Sequence, residues 1–495
     1  MLLARPGALL ALLLAFALVP AAASADDAST LTVVGTSDVF DSNLVQQVLK
    51  PGFESAHPHY TLNYVSKGSG AAIEYAEAGT ASALLVHAAS LENQFVAKGY
   101  SLERYGRAIF WGDYVILGPA SDPAGVTGHA IHDAATAFER IAAAGAAGRA
   151  NFVSRGGTPG TTVQEHAIWA LTHGVKTCTV GTADGGGASP SAAGGACPAN
   201  VATPSWYHAT GLTQGPNIEN ADTCNYAGGH CYVLTDRGTF EYLVSTGAIH
   251  DLRIVTRNNG STARGGTTLL VNSFHAYALN PARFRGQSGV QLNVPAARAF
   301  LRWVTSPPAQ AAIGAFLGAK GDAPFVPDAA PDLTLAALPG VPAGGRDLTL
   351  TGALRNVVPG TPALAGVPVT LSSAGAVLAR AITGSDGRFS LRHRFQAHRR
   401  YTVASGSIGQ VEKATLTPVF GDLLAPGSRT ITPGSPAVAP AVAPAAGTHS
   451  TVSGSGVAHA SPHTVRWVLG ALVAALLLGA VAVAARRGRF GARGA

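Results

Sequence analysis

Charge is scarce in this chain: 12% of its 495 residues are charged, and methionine occurs once. The formal net charge of +7 overstates even that, because Arg486, Arg487, Arg489 and Arg493 fall within the last ten residues. No stripe of lysine and arginine interleaves with aromatics, which excludes a nucleic-acid surface. No Gly-Lys-Ser/Thr follows a glycine loop at the spacing of a phosphate-binding loop. Also missing are a Gly-x-Ser-x-Gly elbow, a metal-ligating His/Glu pair and a carboxylate dyad, so nothing points to an enzyme or to a cofactor. No cysteine follows the N-terminal apolar run, which removes a lipid-attachment site.

What is present begins at the two ends. The first 25 residues run from Arg5 through an apolar stretch to Ala23-Ser24-Ala25. That is the order of a secretory signal, with cleavage expected after Ala25. Near the other end, Trp467–Ala485 is uncharged and apolar over about the length a bilayer core requires. Arginines follow it, so residues 466–487 are predicted to cross the membrane once, with 488–495 as a cytoplasmic basic tail and the body outside. Export permits disulfides. The four cysteines allow three pairings, and Cys178–Cys197 with Cys224–Cys231 closes the shortest loops. The spacings fit no zinc pattern, although a site including His230 is the alternative.

Composition divides the mature chain. From 26 to 326, apolar strand-like runs alternate with helical ones, the pattern of an α/β fold. "DYVILGP" (Asp113–Pro119) reads as a strand leaving one lobe, and "TLLVNSFHAYALNP" (Thr268–Pro281) as the chain returning. Two lobes with a cleft follow, lobe 1 at about 30–117 and 275–326 and lobe 2 at about 118–274, with crossings near Gly118 and Phe274. Residues 331–420 alternate with period two and are predicted to form a small β-sandwich, Ig-like or carboxypeptidase-regulatory-like, with a hairpin turn at Ser385-Asp386-Gly387. Residues 421–465 are rich in Pro, Ala and Ser and read as a tether.

Three strand-to-helix turns share glycines and hydroxyls: Gly35-Thr36-Ser37, Lys67-Gly68-Ser69-Gly70, and Ser154 through Thr162. A helix N-terminus leaves N–H groups unpaired at the positive end of its dipole. Glycines let an oxyanion reach those groups, and Arg155 adds a planar charged fork. The plainer account is that Thr36, Ser37 and Ser69 are ordinary helix caps and that Arg155 pairs with a carboxylate. His87 reads as a satisfied core histidine. Asp38 reads as a charge at a helix N-terminus that faces away from any anion.

Four collinear segments carry a resemblance. "SALLVHAASLENQFVAKGY" (Ser82–Tyr100), "DYVILGPASDPAGV" (Asp113–Val126), "FVSRGGTPGTT" (Phe152–Thr162) and "LTDRGTF" (Leu234–Phe240) are similar to motifs of the periplasmic tungstate-binding proteins of ABC transporters, a branch of the type II periplasmic-binding fold. The resemblance covers roughly Leu31 to Leu317 and stops before the sandwich. It implies a protein that captures tungstate or a related oxyanion, with molybdate among the candidates, for an ABC permease and ATPase. It places the oxyanion ligands at Thr36, Ser37, Ser69, Ser154, Arg155 and Thr161. The chain departs from the family at Gly157, Pro159 and Thr162, where Asp, Ser and His are usual. Arg237 reads either as a second cation or as a partner of Asp236 or Asp222. The alternative function is a surface sensing or adhesion protein on the same two lobes.

Overall fold

The computed structural model describes residues 29–181, 186–196, 202–317, 323–411 and 421–434. The expected signal peptide, transmembrane helix, basic tail and most of the tether lie outside these residues, as does Cys197. Among the described residues no helix is long and apolar enough to cross a membrane.

Lobe 1 opens with β1 (Thr30–Thr36), α1 (Ser37–Asp41), a π-helical turn at Val45–Leu49 and α2 (Lys50–Ala56). It continues through β2 (Thr61–Lys67), α3 (Ser69–Glu77), β3 (Ala83–Val86) and α4 (Ala89–Ala97). β1 lies parallel between β2 and β3. The chain then enters β4 (Gly106–Pro119), a strand of 14 residues that serves both lobes.

Lobe 2 comprises α5 (Ala134–Ala146), β5 (Asn151–Ser154), α6 (Gly160–Ala170), the small strands β6 (Thr177–Val180), β7 (Gly187–Pro190) and β8 (Gly195–Ala196), and β9 (Tyr207–Ala209). After these come α7 (Gln214–Thr223), β10 (Cys231–Asp236), α8 (Arg237–Thr246) and β11 (Leu252–Thr256). Its sheet runs β4-β10-β5-β9, with β11 also on β4. A disulfide joins Cys224 to Cys231 as expected. Cys178 is disulfide-bonded.

The return strand β12 (Val271–Ala278) lies antiparallel between β3 and β4 in lobe 1. The helices α9 (Val294–Val304) and α10 (Pro307–Ala315) then cover that lobe's core, where Phe53, Phe110, Phe274, Phe300 and Phe325 are buried. The α9 stripe predicted from Ala297, Phe300, Leu301 and Val304 is buried, as a helical period of 3.6 requires.

The crossings differ from those expected. β4 pairs with β12 up to Asp113 and with β10 from Tyr114 onward, and the Tyr114 N–H donates to Leu270 O at 2.8 Å. The lobes therefore exchange near Asp113–Tyr114 and Leu270–Val271, not near Gly118 and Phe274. A continuous strand buried on both sides has no break in its apolar run to mark the boundary.

Beyond lobe 1 the chain forms β13 (Val326–Pro327), β14 (Asp332–Leu335), β15 (Arg346–Arg355), β16 (Pro368–Ser373), β17 (Ala376–Ile382), β18 (Arg388–Phe395), β19 (Tyr401–Ser405), β20 (Ile408–Val411), β21 (Gly421–Leu424) and β22 (Ser428–Ile431). Sheets β14-β15-β18 and β17-β16-β19-β22 face each other over Leu350, Leu391, Phe395, Leu371, Tyr401 and Val403, so a two-sheet sandwich is present. Two expectations about it change. Ser385–Gly387 is no hairpin, because β17 and β18 belong to opposite sheets; the turn chemistry is local and does not say which sheet receives the next strand. Gly421–Leu424 and Ser428–Ile431, expected in the tether, are strands β21 and β22.

The sandwich is also no separate spacer. β13 pairs with β4 at Phe110 and Trp111, and β21 adds parallel to β4 at Gly106 and Arg107. Asp422 on β21 enters lobe 1, where its Oδ1 lies 2.7 Å from His275 Nε2. Glu92 Oε2 lies 3.0 Å from His275 Nδ1 and accepts the Tyr277 hydroxyl at 2.7 Å. All four side chains are buried.

Candidate functional site

The three turns singled out in the sequence meet where the lobes touch. In the lobe 2 turn, Gly156 and Gly157 have φ of +69° and +66°, a conformation that side chains with a Cβ rarely adopt. That requirement accounts for glycine at position 157. The turn then presents Thr158, Pro159 and Gly160 to lobe 1. Gly70 N–H donates to Thr158 O at 2.9 Å. Gly68 lies so near Pro159 that a Cβ on it would be 3.0 Å from the proline Cβ, and a Cβ on Gly160 would be 2.4 Å from the His87 ring. Pro159 is thus a contact surface between lobes. Thr162 turns back on its own loop and donates to Gly156 O at 3.1 Å.

The plain capping account of the hydroxyls does not hold. α1, α3 and α6 have no side-chain cap, whereas α5 and α9 are capped by Asp133 and Asn293. Among the described residues the buried Ser69 hydroxyl has no hydrogen-bond partner, which costs about 1–3 kcal/mol unless something supplies one.

Arg155 is 5% exposed. Its Nη2 donates to Ser37 Oγ at 3.0 Å, Nη1 to Gln214 Oε1 at 2.9 Å, and Nε to Leu212 O at 3.3 Å. Thr161 Oγ1 donates to the same Gln214 oxygen at 3.0 Å, and Gln214 Nε2 donates to Thr235 Oγ1. Ser37, Arg155 and Thr161 therefore form one hydrogen-bonded group across the lobes, with Gln214 at its centre. The Thr36 hydroxyl adjoins it beside Asp38, and Ser69 stands at the lobe contact. Ser154 is not brought in: its hydroxyl accepts Gly156 N–H at 3.2 Å and faces Glu165 and Tyr207 inside lobe 2. Successive strand side chains point to opposite faces, so Ser154 and Arg155 diverge.

Carboxylates surround this cation. Burial lowers the Arg155 pKa, while Asp38, Asp41 and Asp236 hold it up. Asp38 does not face away at the surface; it is buried, with Oδ2 2.8 Å from His87 Nε2. Burial acts to raise the Asp38 pKa, but His87 outweighs it and the net shift is downward. Burial likewise opposes protonation of His87, and Asp38 more than reverses it. The two are an ion pair whose other histidine nitrogen, Nδ1, meets the Tyr114 hydroxyl at 2.8 Å. His87 is satisfied, as expected, and has no nitrogen left to activate a serine. Asp41 Oδ2 accepts Gly215 N–H at 2.8 Å, at the first turn of α7.

Arg237 is no second cation here. Its Nε meets Asp113 Oδ1 at 2.6 Å and Nη1 meets Glu241 at 2.8 Å. Asp236 instead caps α8 through Thr239, and Asp222 accepts the N–H groups of His250, Asp251 and Leu252. Among the described residues no group of three or more His, Cys, Asp or Glu could hold a metal. Gln214 is the residue sequence reasoning missed; "TQGPN" has no motif character, and only the position of α7 opposite α6 reveals it. The arrangement offers a buried guanidinium, several neutral hydroxyl donors and a histidine already paired with Asp38, which suits the capture of an anion.

Comparison with known proteins bears on this geometry. The family model for a PBP superfamily domain matches residues 20–308. A Haloferax volcanii protein, provisionally named an ABC transporter anion-binding protein, is 33% identical over 305 residues, covering 61% of this chain and 74% of the relative. The tungstate-binding protein TupA of Peptoclostridium acidaminophilum is 27% identical over 302 residues, covering 61% of this chain and 86% of its own. The solved structure of TupA from Desulfovibrio alaskensis G20 shares 29% identity with a TM-score of 0.41, covering 60% of this chain and 98% of that one.

Proposed function

The chain belongs to the PBP superfamily, and from that premise we propose that it is an extracytoplasmic solute-binding protein that captures a tetrahedral oxyanion, tungstate first among the candidates and molybdate next. Arg155 supplies a full positive charge, Ser37 and Thr161 supply hydroxyls from the two lobes, and Ser69 and Thr36 complete the ring of donors. The observation that carries this reading is a buried arginine bonded across the lobes to Ser37, joined at the lobe contact by a buried Ser69 hydroxyl that has no partner among the described residues. Both are costly to bury and both are resolved by an anion between the lobes. The curated relatives named for anion and tungstate binding support the same class of ligand.

Capture proceeds by closure of the lobes about Asp113–Tyr114 and Leu270–Val271, which removes water from the anion and strengthens each bond to it. Delivery to an ABC permease and ATPase, and anchoring through residues 466–487, belong to the proposal and rest on the relatives and on the apolar run. Titration calorimetry with tungstate, molybdate, sulfate and phosphate tests it. Binding of at least one anion that Arg155→Ala weakens by about 30-fold or more is the expected result, given about 2–4 kcal/mol for charge-assisted bonds lost to Arg155. Heat from none of the four would refute the reading. In that event a sensing protein becomes the better account, because β13 and β21, which bracket most of the sandwich in the chain, are bonded to β4, the strand on which the lobes would move.

A further inference from the structure

The Gln214 carboxamide oxygen can only accept, and it accepts twice. Oε1 takes hydrogen bonds from Arg155 Nη1 at 2.9 Å and from Thr161 Oγ1 at 3.0 Å. Arg155 can only donate, so the oxygen end of the amide must be the one that faces it. The residue is fully buried, and its nitrogen is held by Thr235. A neutral oxygen therefore sits on the charged group and on the hydroxyl that an oxyanion would be expected to claim. Around it, two more donors are also met by protein oxygens. Ser37 Oγ takes Arg155 Nη2, and the Asp41 carboxylate takes Gly215 N–H on the first turn of α7.

We propose that Gln214 is an internal surrogate ligand, whose side-chain oxygen competes with the incoming oxyanion for Arg155 and Thr161 and thereby sets the affinity at which the site fills. The proposal rests on the oxyanion reading and deepens it. With the lobes in contact, the amide spares Arg155 Nη1 an unpaired burial. An anion must displace it, so only a ligand with a stronger claim on the guanidinium enters. A fully charged tetrahedral dianion makes that exchange favourable, because an ionised acceptor forms hydrogen bonds roughly twice as strong as a neutral one. A weakly basic or monovalent anion gains less over the amide it replaces. Gln214 then acts as a threshold on charge, a basis for selectivity that cavity size alone does not provide.

Two substitutions at this position test the idea with opposite signs. Gln214→Met keeps the length and removes the acceptor; Gln214→Glu keeps the shape and makes the acceptor anionic. Tungstate is titrated calorimetrically into the full chain, and the anion-free thermal transition of each variant is recorded. Gln214→Met should bind tungstate about tenfold more tightly, the worth of the competing bond, and should melt lower without anion. Gln214→Glu should bind at least tenfold more weakly near neutral pH, melt no lower than wild type, and recover affinity as the pH falls and the new carboxyl is protonated. A merely structural glutamine would not produce that recovery.

If Gln214→Met weakens tungstate as strongly as Arg155→Ala does, the amide is a ligand and the surrogate role is refuted. Unchanged affinity in both variants refutes it as well. Should the wild-type chain bind none of tungstate, molybdate, sulfate and phosphate, the oxyanion reading falls and this proposal falls with it. Tungstate binding by wild type with the wrong sign in the variants overturns the surrogate alone.

Discussion

Replacing Asp422 tests whether the sandwich is truly built into lobe 1. Asp422 and Glu92 flank His275, at 2.7 and 3.0 Å, and all three are buried. Burial works to lower the His275 pKa, but Glu92 and Asp422 outweigh it and hold it well above the usual histidine range. His275 is therefore a cation at neutral pH, shared between two carboxylates. Breaking a buried ion pair outright costs about 3–5 kcal/mol. Here Glu92 remains after Asp422→Ala, so the loss should be nearer 2–3 kcal/mol, with Asp422→Asn milder because its oxygen can still accept from Nε2. Denaturant unfolding measures the loss, and hydrogen exchange at residues 421–424 and 106–107 shows where it falls. The sign with pH follows from a raised folded-state pKa. The stabilisation is complete below the unfolded value of about 6.5 and fades as pH rises through the folded one. The gap between wild type and Asp422→Ala should thus be widest near pH 6 and narrow in alkali. A loss under about 0.5 kcal/mol, with unchanged exchange in β21, would show that the latch carries no load and that the sandwich merely touches lobe 1.

Two further outcomes follow from the same structure. Gly160→Ala should hold the lobes apart, because its Cβ would lie 2.4 Å from a His87 ring fixed by Asp38 and Tyr114; small-angle scattering should show a larger anion-free radius of gyration and calorimetry a weaker anion, and unchanged values in both would contradict closure at this contact. Glu165, buried beneath Trp169 and Tyr207, has its carboxyl pushed up to about 7 by burial; its contribution is complete below the unfolded value of about 4.5 and lost as pH rises through about 7, so Glu165→Gln should gain roughly 3 kcal/mol on wild type between pH 4 and pH 8, and parallel stability curves would refute this.

Much of the site was legible because its chemistry is local. Glycines, hydroxyls and one arginine at strand-to-helix turns announce themselves in short windows, and Ser37, Arg155 and Thr161 do meet. Ser154 was misplaced by a neighbour's company: one step along a strand reverses the side chain, and the motif alone does not say which of the two faces the cleft. Gln214 and the Asp38–His87 pair were invisible for a different reason. Their partners are 59 and 49 positions away in the chain, reached only once the lobe that holds each pair has folded. The sandwich shows the same limit. Alternation revealed its strands, but period two does not tell which edge a strand joins, so β21 on β4 and Asp422 on His275 could not be read in advance. Neither could the lobe crossing, since β4 is apolar straight through it.

The central claim is that an oxyanion sits between the lobes on Arg155. Crystals grown with tungstate, measured at the tungsten absorption edge, locate the metal directly by anomalous scattering. One strong peak within hydrogen-bonding range of Arg155, Ser69 and Thr161 through the oxyanion's oxygens, with the Gln214 oxygen moved off Arg155, is the predicted result. A peak elsewhere on the molecule, or no peak from protein saturated with tungstate, would contradict it.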